Sequence, residues 1–371
     1  MRTLSREEVE DFLVGAKILA AGGGGEIEWA RPLIEEVYSK GKQFRLVSPQ
    51  EIPENEIVVI AGSIGGGVSE EMKKKVARLP RISQRPELLA ARVLAEYMGR
   101  KPYAYLASEI GPANTIVPMY VAAMMDAFTV DADCCGRAKP EICISTTHIK
   151  GLPLTPLSIV SPFGDIIILK ESVDDFRVED ICRYIAIISG GKCELARCPA
   201  SGKDIREAVV PLSISNTIEV GRSVRLAKAE GRDPIEALIN ALKGYKLFEG
   251  KVKSFEREEK GAFMWGTIEI DGTGDYKNHK LKIWFKNELL VSWRDGKPFV
   301  TCPDTISVVD AKTAEGLSNW GDEYKEGREV VVIGKRAHEL WRTEKGLELF
   351  SPKHFGFDIE YTPIEQIVSE I

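Results

Sequence analysis

The chain has 371 residues, 44% hydrophobic and 29% charged, with a formal net charge of -6. That length exceeds a usual single core, so two domains are expected. The acidic balance argues against nucleic acid or anionic membrane as partners, and no apolar run is long enough to span a bilayer.

The start, MRTLSREEVEDF, is charged and helix-like with no signal-peptide core, which points to the cytoplasm. Ser5 followed by Glu8 is a capping-box pattern, and Val9, Phe12, Leu13, Ala16 and Leu19 then recur at helical spacing. This helix ends in Gly22–Gly25, and a second is expected from Ile27 to Tyr38. Phe44–Val47 reads as a short strand. Glu56–Ala61 reads as a buried strand running into a glycine loop, Gly62–Gly67, with Ser69 capping the next helix. A helix over 87–98, a strand over 103–107, a helix over 114–126 and a strand over 127–130 follow. Strands alternating with helices imply a mainly parallel sheet whose carboxyl ends share one edge, where ligands bind.

Residues 155–170 hold strand-like pieces. Residues 177–189 and 203–243 read as helical, interrupted at Gly221 and Gly231. From Tyr245 onward strands dominate, at 250–257, 262–270, 279–285, 288–293, 305–309 and 328–333. The expected architecture is an α/β domain over 1–165 carrying the site. A second domain over 166–371 has a helical connection at about 175–245 and a β-rich core, barrel or sandwich, at about 246–350.

The seven cysteines do not form a secreted disulfide framework. Cys193 and Cys198 stand close enough for a disulfide or half of a metal site, with unpaired thiols the simpler reading. Few Gln and Asn beside many Glu and Lys suit a heat-adapted source.

Residues 109–141 thread Glu109, Asn114, Asp131, Asp133, Arg137 and Glu141 between apolar runs. Buried charges are costly unless paired or used, so this stretch marks a candidate active site. Glu109, just past a buried strand, is a candidate general base. Asp131 is read as orienting the backbone and Asp133 as facing the cleft. Arg137 has a planar fork suited to a carboxylate or imide, with an Arg137–Glu141 ion pair as the structural alternative. Gly23 and Gly24, and Gly65 and Gly66, bring backbone to a ligand or serve as plain turns. His148 is a further binding candidate. A divalent metal on Glu109, Asp131 and Asp133 is possible, although no cofactor is required. Cys134 and Cys135, with Arg137 and then His148 the nearest cations in sequence, are less favoured as nucleophiles because cysteines in buried turns are usually inert. Asn287–Glu288 and Cys302-Pro303-Asp304 read as turns that alternatively close the cleft from the second domain. Residues 352–358, PKHFGFD, read as docking the tail onto a domain surface.

The segments GAKILAAGGGG (15–25), EIGPANTIVPMYVAA (109–123), VDADCCGRAKPE (130–141), FKNELL (285–290), CPDTISVVD (302–310) and PKHFGFDIEY (352–361) resemble the S-methyl thiohydantoin desulfurase family, in order along nearly the whole chain. Cys134, Cys135 and Lys139 depart from its usual pattern, as do Pro112–Ala113. The resemblance implies an α/β domain joined to a β-rich domain, and removal of sulfur from a thiohydantoin ring to leave a hydantoin. On that reading Glu109 or Asp133 activates water, Arg137 holds the imide or a substrate carboxylate, and Asn114 orients the ring. The expected partner is a small heterocycle, with a homo-oligomer possible. The rival readings are a metal-dependent hydantoinase-like amidohydrolase and a non-catalytic subunit of a hydantoinase- or oxoprolinase-type complex.

Overall fold

The computed structural model describes residues 1–370. After β1 (Arg2–Thr3), α1 (Arg6–Leu19) starts at the expected box: Ser5 Oγ accepts the Glu8 N–H, and the Glu8 carboxylate accepts the Ser5 N–H. Then come α2 (Ile27–Ser39), β2 (Arg45–Val47), β3 (Ile57–Gly65), α3 (Glu70–Val76, capped by Ser69), α4 (Pro86–Met98), β4 (Ala104–Ala107), α5 (Pro112–Met124) and β5 (Phe128–Asp133). The parallel pairs β2–β5, β5–β4 and β4–β3 form the centre of the first sheet. Val58, Val59, Ile60, Tyr105 and Leu106 are buried, as apolar strands covered on both faces should be.

The chain continues through α6 (Thr146–Ile149), β6 (Leu157–Val160), β7 (Ile166–Leu169), α7 (Asp175–Ile188), β8 (Lys192–Ser201), α8 (Gly202–Ala208), β9 (Val210–Pro211), α9 (Ser213–Ala229) and α10 (Pro234–Leu242). The sheet runs β1-β2-β5-β4-β3-β8-β6-β7, with β9 on β5. The boundary expected at 165 therefore does not separate the two sheets. β7 pairs with β6, and β8 lies antiparallel on β3, whose edge would otherwise leave its N–H and C=O groups unpaired. The same pairing extends β3: Gly65 stands opposite Lys192, so Gly62–Gly65 are strand rather than loop.

Gly221 does not interrupt a helix either. It lies inside α9, where an added Cβ would come within 1.8 Å of the Asp11 carbonyl oxygen, so the glycine lets α9 pack backbone to backbone on α1. Arg225 on α9 grips both oxygens of Asp11 at 2.6 and 2.8 Å.

The second domain is antiparallel: β10 (Tyr245–Lys260), β11 (Phe263–Gly272), β12 (Lys280–Lys286), β13 (Glu288–Arg294), β14 (Lys297–Thr301), β15 (Thr305–Asp310) and β16 (Glu329–Lys335). Its order, β14-β13-β12-β11-β10-β16-β15, curls into a half-barrel around Phe248, Ile268, Ile283, Phe285, Ile306 and Val332. β14 is short and carries Lys297 and Pro298, so it has little strand signal in the sequence. No helix among the described residues is long and apolar enough to cross a membrane.

Candidate active site

A cavity of about 380 Å³ opens beyond the carboxyl ends of β3 and β4, with the second domain closing its far side. Strand ends at this edge stop short of the helices that follow them, leaving a crevice. Six of the named candidates, Glu109, Asn114, Glu141, Gly24, Gly65 and Gly66, line it.

Glu109 is 5% exposed and is the second residue beyond the end of β4. Its Oε1 accepts from Asn114 Nδ2 at 2.5 Å and its Oε2 from the backbone N–H of Lys139 at 3.1 Å. Asn114 lies in the first turn of α5, so strand end, helix start and the 139–141 segment fix this carboxyl together.

The other candidates do not meet there. Asp133 is fully buried away from the cavity. Its Oδ2 accepts the N–H groups of Cys135 at 2.9 Å and Gly136 at 2.7 Å, which closes the turn after β5. Burial pushes this carboxyl up to about 7, opposed by those N–H bonds and reinforced by the charge of Glu109. Asp131 accepts from the Ser215 N–H at 2.9 Å and its hydroxyl at 2.6 Å, so it fixes the start of α9. Held in these separate turns, the carboxylates weighed as metal ligands do not converge, although Asp133 Oδ1 is left without a partner. No group of three or more His, Cys, Asp or Glu among the described residues is placed to hold a metal ion.

Arg137 neither pairs with Glu141 nor reaches the cavity. Its guanidinium donates to the carbonyls of Ala138, Asp304 and Leu289 at 3.1, 2.8 and 2.6 Å, tying the two domains together. Its planar fork is used for backbone oxygens instead of a ligand. Glu141 lines the cavity edge, but its oxygens take the Lys286 ammonium and His354 Nε2, the latter at 3.0 Å. Burial alone would raise this carboxyl; the bond from His354 and the Lys286 charge instead hold it down at about 2. That contact docks the 352–358 tail, and Asp304 secures it further by accepting from Tyr361 Oη and the Ile364 N–H, both at 2.9 Å. His148 lies elsewhere, paired through Nδ1 with Asp175 at 2.7 Å.

The glycines serve packing as much as ligand. Gly23 does not line the cavity; a Cβ there would fall 2.0 Å from Glu288 Oε1. Gly24 passes so close to Gly111 that its Cβ would meet that Cα at 2.6 Å. The Gly66 N–H donates to the Gly191 carbonyl at 2.9 Å, so it is not free for an anion. All seven cysteines are buried and free. Burial pushes the Cys134 and Cys135 thiols far up, which removes them as nucleophiles.

Lys139 and Arg197 are among the lining residues the sequence reading did not name as site residues, and Glu288, weighed there as a turn or as closing the cleft from the second domain, also lines it. Glu288 is 3% exposed, opens β13 and is aimed by Asn287, whose Oδ1 accepts the Met264 N–H at 2.8 Å while its own N–H donates to the Met264 carbonyl at 2.6 Å. Glu288 Oε2 has no hydrogen-bond partner. Burial, with Glu109 nearby, raises this carboxyl well above the usual range. Trp29 of α2 and Trp320 meet edge to face at 6.4 Å on the cavity wall, one from each domain. A charged residue inside an apolar strand was the signal available for Arg197, in ELARCPA, just as it was for residues 109–141.

Two family models divide the chain. Residues 7–171 match the S-Me-THD-like N-terminal domain and residues 173–364 the S-Me-THD-like C-terminal domain. The chain belongs to the S-Me-THD-like family. A crystal structure of a protein from Chromobacterium violaceum shares this family member's fold, with a TM-score of 0.80 at 24% identity over 98% of this chain and 100% of that one. No curated protein matches it.

Proposed function

We propose that this S-Me-THD-like protein is a hydrolase that removes sulfur, as methanethiol or sulfide, from a small thiohydantoin-like ring to leave a hydantoin. The observation that carries this reading is the pair of carboxyls lining one buried cavity in different settings. Glu109 accepts from two donors, as a carboxylate does, whereas Glu288 has an unpartnered oxygen and is raised by burial well above the usual range. Two acids in such different surroundings are suited to opposite halves of a proton transfer.

Glu109 takes a proton from the attacking water as its oxygen bonds to the ring carbon that bears sulfur. Asn114 keeps the carboxylate oriented. The carbon–sulfur bond then breaks, its electron pair leaves on sulfur, and Glu288 supplies the proton to the departing thiol. Exchange with solvent returns the proton from Glu109 to Glu288. The Trp29–Trp320 pair offers apolar faces to a flat ring. Asp133 and Arg137, expected to share this chemistry, take no part because neither reaches the cavity.

The test is thiol release from S-methyl thiohydantoins, followed with a thiol-reactive dye. Release by the wild type that collapses in Glu109→Gln supports the reading. No release, or full activity in that variant, overturns it.

A further inference from the structure

The cavity also contains a cluster that offers hydrogen-bond donors and no free acceptor. Ser108 follows β4 directly and is half-buried at the cavity wall. Its Oγ accepts from Lys139 Nζ at 3.0 Å and from Arg197 Nη2 at 2.7 Å. A hydroxyl oxygen has two lone pairs, so both are occupied and its O–H is left to donate. Arg197 is 1% exposed and Lys139 5%. Arg197 Nε and Nη1 have no partner at all, and the other bond of Lys139 Nζ goes to a neutral oxygen, the Glu141 carbonyl at 3.1 Å. The neighbouring acids do not pair with these cations. Glu109 turns its oxygens to Asn114 and the Lys139 N–H, Glu141 is taken by Lys286 and His354, and Glu288, near enough for the Lys139 charge to act on it, makes no hydrogen bond to Lys139 or Arg197.

Two buried cations without an anion are costly, because desolvation is not repaid by a partner. We propose that Ser108, Lys139 and Arg197 form an anion subsite that receives a carboxylate carried by the substrate. This deepens the thiohydantoin reading and rests on it for the ring. A single negative charge fits better than a dianion, since the Glu109 carboxylate stands on the same wall. The substrate is thus a heterocycle with a short acidic side chain, the ring directed to Glu109 and the side chain to Ser108.

The experiment compares two ligands of equal size, 5-carboxymethylhydantoin and 5-carbamoylmethylhydantoin, by calorimetry on the wild type, Lys139→Met and Arg197→Gln. A charged hydrogen bond contributes about 1.5–3 kcal/mol, so the acid should bind the wild type at least about tenfold more tightly than the amide. That preference should vanish in both variants while amide binding stays unchanged. Equal wild-type affinity for acid and amide overturns the subsite and leaves the thiohydantoin reading standing. If neither hydantoin binds, that reading falls, and acetate judges the subsite alone. A rise in melting temperature with acetate over chloride, lost in Arg197→Gln, supports it, and no rise overturns it.

Discussion

Glu109 Oε2 accepts the backbone N–H of Lys139, thirty residues further along the chain, at 3.1 Å. That one bond joins the end of β4 to the segment beyond β5 and sets the carboxyl at the cavity wall. In Glu109→Gln the side-chain oxygen can still accept this N–H, so the melting temperature should change little. Thiol release should fall by roughly 10²–10⁴-fold, the usual contribution of a positioned proton acceptor. Calorimetry and turnover on the same sample separate the two effects.

Glu288 works only while protonated. Its carboxyl is raised well above the ordinary range by burial and by Glu109, so thiol release should decline as pH rises through that elevated value. Glu288→Gln imitates the neutral acid in shape but cannot give up a proton. Its activity should be low at every pH and lack the alkaline decline. A pH–rate profile that keeps the same alkaline limb in this variant would assign the limb to another group.

Gly23→Ala places a methyl 2.0 Å from Glu288 Oε1. The carboxyl must move, and a displaced catalytic group commonly costs about 10²-fold in rate. The expected outcome is loss of turnover larger than the loss in melting temperature. Unchanged kinetics would show that the position of Glu288 is not critical.

Glu141 fastens the 352–358 tail and β12 to the first domain through His354 and Lys286. Its folded pKa is depressed to about 2 from 4.5, so it stabilises the fold above the unfolded value. That contribution is lost as pH falls from about 4.5 through about 2. Glu141→Gln leaves the Lys286 ammonium buried without its partner, which should cost about 3 kcal/mol in urea denaturation at neutral pH. The variant should also show a flatter dependence of stability on acid pH than the wild type.

Trp29 is 56% exposed and touches only the edge of Trp320. Trp29→Ala should raise KM several-fold, about what one lost aromatic contact of ~1 kcal/mol gives, with kcat kept. A fall in kcat alone would place Trp29 in the chemistry instead of in binding the ring.

The α/β and β-rich halves were legible because periodicity and apolar runs report burial directly. The capping box at Ser5–Glu8 and the buried strands β3 and β4 are local signals, and each formed where read, although β3 ran on through Gly65. Glu109 and Asn114 were legible for the same reason, since a strand end and the first turn of the next helix are neighbours in sequence. β8 was missed as part of the first sheet, because nothing in residues 192–201 says which edge they cover. Arg197 was overlooked with it, and Glu288 was read as a turn, with closing the cleft from the second domain as the alternative; the fold points that turn at the cavity.

The sequence by itself determined two domains, the order of their elements and a charged segment at 109–141 with something to do. Only the tertiary structure decided which of those charges act. Arg137 and Asp133 were absorbed by backbone carbonyls and N–H groups, Glu141 at the cavity edge by an ion pair, and of the acids on the cavity wall from this segment Glu109 alone makes no ion pair. The reason is physical: composition fixes that a charge must be compensated, but its partner comes from wherever the fold brings one within about 3 Å, and that distance is not written in spacing along the chain.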